Sequence, residues 1–168
     1  QPPEGDRFFY ERSLLQQGFV RPAGADEAGR GPLAGPVVAG CVILPPACDF
    51  SRYQDSKKLT PARRERLYAE LRASEAIIGI GMASVKEIDQ INILQASLLA
   101  MKRALLALEL KPEQVLIDGN RLPAVDGYRM LAIVRGDLSE PCISAASIVA
   151  KVFRDLEMVA LDARYPDY

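Results

Sequence analysis

Gly24-Ala25-Asp26-Glu27-Ala28-Gly29-Arg30-Gly31 is followed by Pro32-Leu33-Ala34-Gly35 and then by Pro36–Leu44, PVVAGCVIL. The first run sets two adjacent carboxylates beside an arginine held between two glycines. Adjacent acids repel, and a chain with no use for them would normally separate them. Glycines on both sides of Arg30 bring bare backbone N–H groups up to whatever the arginine meets. A cation on the acids, with a phosphate against the arginine and the glycine amides, satisfies both halves of the run. What comes next decides the fold. Gly29-Arg30-Gly31-Pro32-Leu33-Ala34 fits the loose dinucleotide fingerprint GxGxxG/A, but that motif must open a helix. Pro32, Pro36 and the β-branched run after them spell a strand instead. Gly24 to Gly29 has the glycine spacing of a P-loop, yet Arg30-Gly31 stands where Lys-Ser/Thr is needed. Neither nucleotide-binding fold survives its context.

Working outward, Val20 to Asp26 reads as a strand entering the acidic run, and Arg7 to Gln17 before it as a short helix ended by Gly18. Pro36–Leu44 is a second strand, closed by Pro45-Pro46. A loop carries Asp55-Ser56-Lys57-Lys58-Leu59. Thr60-Pro61 then starts a helix to about Ala73, with a hydroxyl cap, a proline at the first helical position, and Leu67 and Leu71 facing inward. Ala76 to Ala83 is a third strand. Ser84 and Glu87 have capping-box spacing and open a short helical turn. Ile91, Leu94, Leu98, Met101, Leu105 and Leu108 recur at helical spacing as a core-facing stripe, stopped by Lys111-Pro112. Gln114 to Asp118 is a fourth strand and Arg129 to Arg135 a fifth. A last helix runs from near Ser144 to about Ala163, with Ile148, Val152, Leu156 and Val159 inward. Strand-rich first and alternating later, the pattern predicts one α/β domain with a mixed sheet.

Composition bounds the chemistry. The 168 residues carry no histidine, so Ser-His-Asp, Cys-His and His-liganded zinc sites are excluded. Any metal must be held by oxygen, which favours magnesium or manganese. Cys41, Cys48 and Cys142 show no CxxC spacing and read as reduced thiols of a cytoplasmic protein. No apolar stretch approaches the ~20 residues needed to span a bilayer, and no secretory signal pattern opens the sequence. Net charge is −1, but Arg52, Lys57, Lys58, Arg63, Arg64, Arg66 and Arg72 outnumber the acids in one stretch. That stretch reads either as a solvated helix face or as a surface that tracks a phosphate backbone.

Three predicted strands end in acids: Asp26-Glu27 on the first, Asp118 on the fourth and Asp137 on the fifth. Ligand sites of α/β sheets gather at such strand ends. A single Asp-Gly is an ordinary turn; four acids so placed point to a metal site. Their chemistry suits two-metal hydrolysis of a phosphodiester, in which carboxylates hold two divalent ions and no histidine base is needed.

On these residues the chain resembles ribonuclease HII, the type 2 ribonuclease H family. The matching pieces are DEAGRG (Asp26–Gly31), LAGPVVA (Leu33–Ala39), DSKKLT (Asp55–Thr60), IDQINILQAS (Ile88–Ser97), IDGN (Ile117–Asn120), Gly136-Asp137 and ISAASIVAKVFRD (Ile143–Asp155), in family order. The resemblance implies a ribonuclease H-like fold, a central mixed sheet of about five strands flanked by helices. It implies an endoribonuclease that cuts the RNA of RNA–DNA hybrids and nicks 5′ of ribonucleotides embedded in duplex DNA. The ends left are 3′-hydroxyl and 5′-phosphate, in the service of replication and repair. By the same resemblance Asp26, Glu27, Asp118 and Asp137 are the catalytic acids holding Mn²⁺ or Mg²⁺. Gly29, Arg30 and Gly31 read the 2′-hydroxyl, the group that separates RNA from DNA. Ser56, Lys57 and Lys151 contact the nucleic-acid backbone. Asp155 shares the last motif but stands one helical turn from Lys151, the spacing of a helix-face ion pair.

The sequence departs from the family in two places. Ser139 and Glu140 follow the fourth acid where a basic residue is common. The sequence given ends at Tyr168, before the His-Lys-Gly-Tyr segment and C-terminal helix of the family, whose tyrosine packs on the sugar at the RNA–DNA junction. The expectation is a single catalytic domain over residues 1–168, truncated relative to the family and acting as a monomer without membrane attachment. The alternative is a nucleic-acid-binding domain that keeps the acids and has lost activity.

Overall fold

The computed structural model describes residues 22–29, 34–45, 49–53 and 58–164. The expected helix over residues 7–17 and the loop residues 55–57 lie outside them. Five strands form one sheet in the order β3-β2-β1-β4-β5: β1 (Pro22–Ala28), β2 (Val37–Ile43), β3 (Ile77–Ala83), β4 (Gln114–Asp118) and β5 (Met130–Ile133). β1, β2 and β3 pair antiparallel, while β4 and β5 run parallel to β1. The mixed five-stranded sheet is the predicted architecture. A 3₁₀ turn at Phe50–Tyr53 is an addition that propensity did not announce.

Helices cover both faces. Helix α1 (Pro61–Ala73) is capped as expected: the Arg63 amide donates to Thr60 Oγ1 at 3.2 Å, and Leu67 and Leu71 are buried. Several basic groups near it are held locally. Arg52 pairs with Glu70, Arg64 donates to the Leu59 carbonyl at 2.9 Å, and Arg72 to Tyr68 Oη at 2.9 Å.

Helix α2 (Val85–Leu106) joins what the sequence split into a turn and a helix. The Ser84–Glu87 capping box forms, and Arg103 clamps Glu87 through two 2.7 Å bonds while donating a third to the Met82 carbonyl. The break falls at Asn92, whose φ of 71° and ψ of 168° are not helical. Its Oδ1 accepts the Gln95 amide at 3.0 Å and so recaps the second segment. Ala96, Ala100 and Ala104, with Met101 and Leu105, pack against β1, β2 and β3. The predicted stripe is therefore core-facing only in part: Ile91 is exposed, and Leu94 and Leu98 are half-buried. The small alanines let the helix approach the sheet, which turns the larger side chains toward its flank.

Helix α3 (Gly136–Ser139) is short, and α4 (Pro141–Arg164) is the long helix of the opposite face. β5 stops earlier than predicted because Arg135, at φ 57°, adopts the left-handed conformation and turns the chain into α3. Asp137 thus lies on a helical turn and does not end a strand. α4 begins before Ser144 because Pro141 suits a first helical turn. Ile148 and Val152 are buried as expected, but Leu156 and Val159 are 56% and 69% exposed. A 24-residue helix is about 36 Å long, whereas seven-residue strands span only ~23 Å, so the helix overhangs the sheet. The approach of α4 is closest at Gly24, where an added Cβ would lie 2.3 Å from the backbone carbon of Cys142. Cys41 and Cys142 are buried in the core, and burial pushes the Cys41 thiol up to about 12. Among the described residues no helix is long and apolar enough to cross a membrane.

Candidate active site

The register of the parallel pair β1–β4 builds the site. Gly24 stands opposite Leu116 and Ala25 opposite Ile117; one residue further along each strand are Asp26 and Asp118. Neighbouring strands lie about 4.8 Å apart and alternate faces with period two, so these two acids share the α4 face. Glu27, the next residue, points to the α2 face. The adjacency that looked repulsive in sequence is thus resolved by the pleat.

Asp26 is 5% exposed. Burial holds its carboxyl well above the usual range, and the charges of Asp118, Glu27 and Asp137 push in the same direction. Asp118 is raised as well, by burial and then by Asp137. The Asp118 carboxylate stands near enough for its charge to act directly on Asp26. The Glu27 amide donates to Asp26 Oδ1 at 2.8 Å, and the Asp137 amide to Asp118 Oδ1 at 3.3 Å. The Gly136 amide also donates to Asp118. The left-handed turn at Arg135 therefore aims the start of α3 at Asp118 and brings Asp137, itself 6% exposed, to the pair.

Glu27 and Asp118 meet again across a cavity of about 90 Å³, closed by Leu94, Ser97, Leu98 and Met101 of α2 and by Gly119, Asn120 and Arg121 after β4. Half of the predicted stripe thus walls the acidic site. A larger groove of about 430 Å³ lies along α2, shares Leu98, and has no acid in its lining.

The structure interlinks Asp26, Glu27, Asp118 and Asp137 from β1, β4 and α3. Among the described residues they do not stand as a ready-made cage of three or more metal ligands. The donor chemistry nevertheless fits a hard divalent cation: every donor is a carboxylate oxygen, two are buried, and a cation would offset the charges that raise Asp26.

Of the proposed substrate contacts, Arg30, Gly31, Ser56 and Lys57 lie outside the described residues. Gly29 is described, with φ at 105°. Lys151 is half-buried on α4, and no ion pair joins it to the exposed Asp155 among the described residues. Glu140, after the fourth acid, is buried at 2% exposure.

Sequence reasoning passed over Arg154, between those two. Its Nε donates to the Pro36 carbonyl at 3.0 Å. An added Cβ on Gly29 would lie 2.5 Å from that same nitrogen, and one on Gly35 would lie 3.1 Å from Arg154 Nη2. One guanidinium therefore packs against both ends of the segment that carries Arg30 and Gly31. Its place in the ISAASIVAKVFRD run was the only available signal.

A mixed five-stranded sheet with acids clustered over the ends of β1 and β4 defines the class of ribonuclease H-like folds. The ribonuclease H2 of Pyrococcus horikoshii OT3 superposes with a TM-score of 0.74 at 30% identity, over 88% of this chain and 78% of that one. A ribonuclease HIII solved in complex with Mn²⁺ superposes equally well at 18% identity, a likeness of fold alone, over 90% of this chain and 57% of that one. The family model described as Ribonuclease HII matches residues 23–168, and the chain belongs to that family. Ribonuclease HII of Delftia acidovorans is 58% identical over 146 residues, 87% of this chain but 62% of that protein. That of Moorella thermoacetica is 52% identical over 161 residues, 96% of this chain and 78% of that protein. The chain thus spans about six- to eight-tenths of the length of these relatives.

Proposed function

We propose that this chain is a metal-dependent endoribonuclease that hydrolyses the RNA strand of RNA–DNA hybrids and nicks 5′ of single ribonucleotides in duplex DNA. The products are 3′-hydroxyl and 5′-phosphate ends. Family membership supports hydrolysis of the hybrid. The observation that carries the chemistry is the parallel register that sets Asp26 beside Asp118, with the Asp137 amide donating to Asp118 Oδ1 at 3.3 Å. Acids set side by side on neighbouring strands, each charge disfavouring the other, form a site that gains by binding a cation.

Asp26, Glu27, Asp118 and Asp137 would hold the metal. Bound there, a pair of Mn²⁺ or Mg²⁺ ions would supply an activated water at neutral pH and stabilise the leaving oxygen. The protein's own part is orientation. The Asp137 amide fixes Asp118 Oδ1, the Glu27 amide fixes Asp26 Oδ1, and the apolar wall of Leu94, Leu98 and Met101 limits bulk water. Gly29, Arg30 and Gly31 would present backbone amides to the 2′-hydroxyl, with Arg154 holding the flanks of that segment. Ser56, Lys57 and Lys151 would contact the phosphate backbone.

The test is a duplex carrying one internal ribonucleotide, incubated with Mn²⁺ or Mg²⁺. Metal-dependent nicking that disappears in Asp118→Asn is expected. Binding of the duplex without nicking at any metal concentration would instead favour a binding domain with a retained metal site.

A further inference from the structure

Ser97 lies on α2 within the IDQINILQAS run, and neither the acids nor the substrate-reading segment accounts for it. It is 2% exposed, and its Oγ has no hydrogen-bond partner. A serine inside a helix commonly folds its hydroxyl back onto the carbonyl one turn earlier; this one does not. A buried hydroxyl left unmatched is destabilising, so its retention calls for a partner that is not protein. The cavity it lines, shared with Glu27 and Asp118, is about 90 Å³, room for several waters, and polar enough to keep them.

The same cavity explains why a water matters. The acids form no complete cage among the described residues, and a small divalent ion on one or two carboxylates usually keeps several waters. Asn120 and Arg121 also border the cavity, but both are exposed on the segment after β4. Ser97 is the buried neutral donor, held on a helix whose next turn, Ala100 and Met101, is fixed in the core. Resting on the metal-site reading above, we propose that Ser97 is a positioning residue: its hydroxyl hydrogen-bonds a water between Glu27 and Asp118 and so fixes the hydration of a divalent ion held there.

Titration calorimetry with MnCl₂ on the unsubstituted chain, Ser97→Ala and Ser97→Thr tests this, with metal-free melting measured in parallel. Ser97→Ala should weaken Mn²⁺ binding about tenfold, the usual scale for groups that orient a metal site from its second layer. It should leave metal-free melting unchanged or raised, because it removes an unmatched hydroxyl. Ser97→Thr, which keeps the hydroxyl, should bind within about twofold of the unsubstituted chain on the same reasoning. Unchanged Mn²⁺ affinity in Ser97→Ala overturns the proposal, and so does a lower metal-free melting temperature at unchanged affinity, which marks a purely structural serine. If the unsubstituted chain binds no Mn²⁺, the carboxylate site itself falls and the role of Ser97 falls with it.

Discussion

Gly24→Ala is a single methyl group placed two residues before Asp26, and it should be among the most damaging substitutions in the sheet. The added carbon would sit 2.3 Å from Cys142 C and Ile143 N and 2.5 Å from Cys142 O. Comfortable carbon contacts lie near ~3.5–4.0 Å, so α4 must retreat by roughly 1.2 Å or more at its first turn. The obstacle is backbone, which has no rotamer to escape into. Overpacking of this kind costs about 1–3 kcal/mol, while replacing a strand glycine returns about 0.5–1 kcal/mol of backbone entropy. The retreat also separates Ile143 from Leu116 and Ile133, which places the net loss near the upper end, about 2 kcal/mol. For a chain of this size each kcal/mol shifts the melting temperature by about 2–4 °C, so a fall of about 4–8 °C is expected in a thermal melt. Gly119→Ala is the control: φ is 113° there, but nothing lies within 4 Å of the added carbon, so only local strain of about 1 kcal/mol applies. Because α4 follows α3 directly, Gly24→Ala should also reduce stabilisation by Mn²⁺. A Gly24→Ala chain that melts within a degree of the unsubstituted one would refute the tight layer between β1 and α4.

Burial of Asp26 makes a pH prediction. The folded pKa of Asp26 is raised above its unfolded value near ~3.9, so its contribution to metal-free stability is greatest at low pH. It should fall as pH rises from about 4 through the folded value, by ~1.4 kcal/mol per unit of elevation. Asp26→Asn should flatten that slope in melts with a chelator present and raise the melting temperature at pH 8; an unchanged slope would count against the buried pair. Arg154→Ala should raise KM for a hybrid substrate several-fold while leaving Mn²⁺ affinity intact, with partial recovery in Arg154→Lys. Equal effects on both quantities would make Arg154 a general stabiliser. Arg103 holds the Glu87 carboxyl down to about 2, so Glu87→Gln should lower the melting temperature at pH 7, and the difference should vanish as pH falls through about 2.

The fold was legible where one physical signal dominates. β4 has the predicted bounds because Val115, Leu116 and Ile117 form an apolar run between Pro112 and Gly119. The Thr60 and Ser84 caps formed because a cap is a local matter of three residues. What failed was non-local. β5 is shorter than its apolar pattern predicts because the chain turns left-handed at Arg135, a conformation its residue type does not announce. Leu156 and Val159 have the period of a buried stripe, but burial depends on where the sheet ends. The acids of β1 and β4 could be nominated from strand ends, and Asp137 only from a strand end that the structure replaces with a helical turn, yet only the parallel register of β1 with β4 sets Asp26 beside Asp118 and turns Glu27 to the other face. The period of the Ile91–Leu108 stripe reads as core throughout and does not distinguish Leu94, Leu98 and Ser97, which line the cavity. Arg154 was invisible because its partners, Gly29 and Pro36, lie far away in the chain.

Crystals of the chain soaked in MnCl₂ and measured at a wavelength where manganese scatters anomalously would locate the cation without reference to activity. Anomalous density in contact with Asp26 and Asp118, and within reach of Glu27 and Asp137, is the predicted result. Well-ordered crystals with no such density at these carboxylates, or with manganese bound only elsewhere, would contradict a metal site built from β1, β4 and α3.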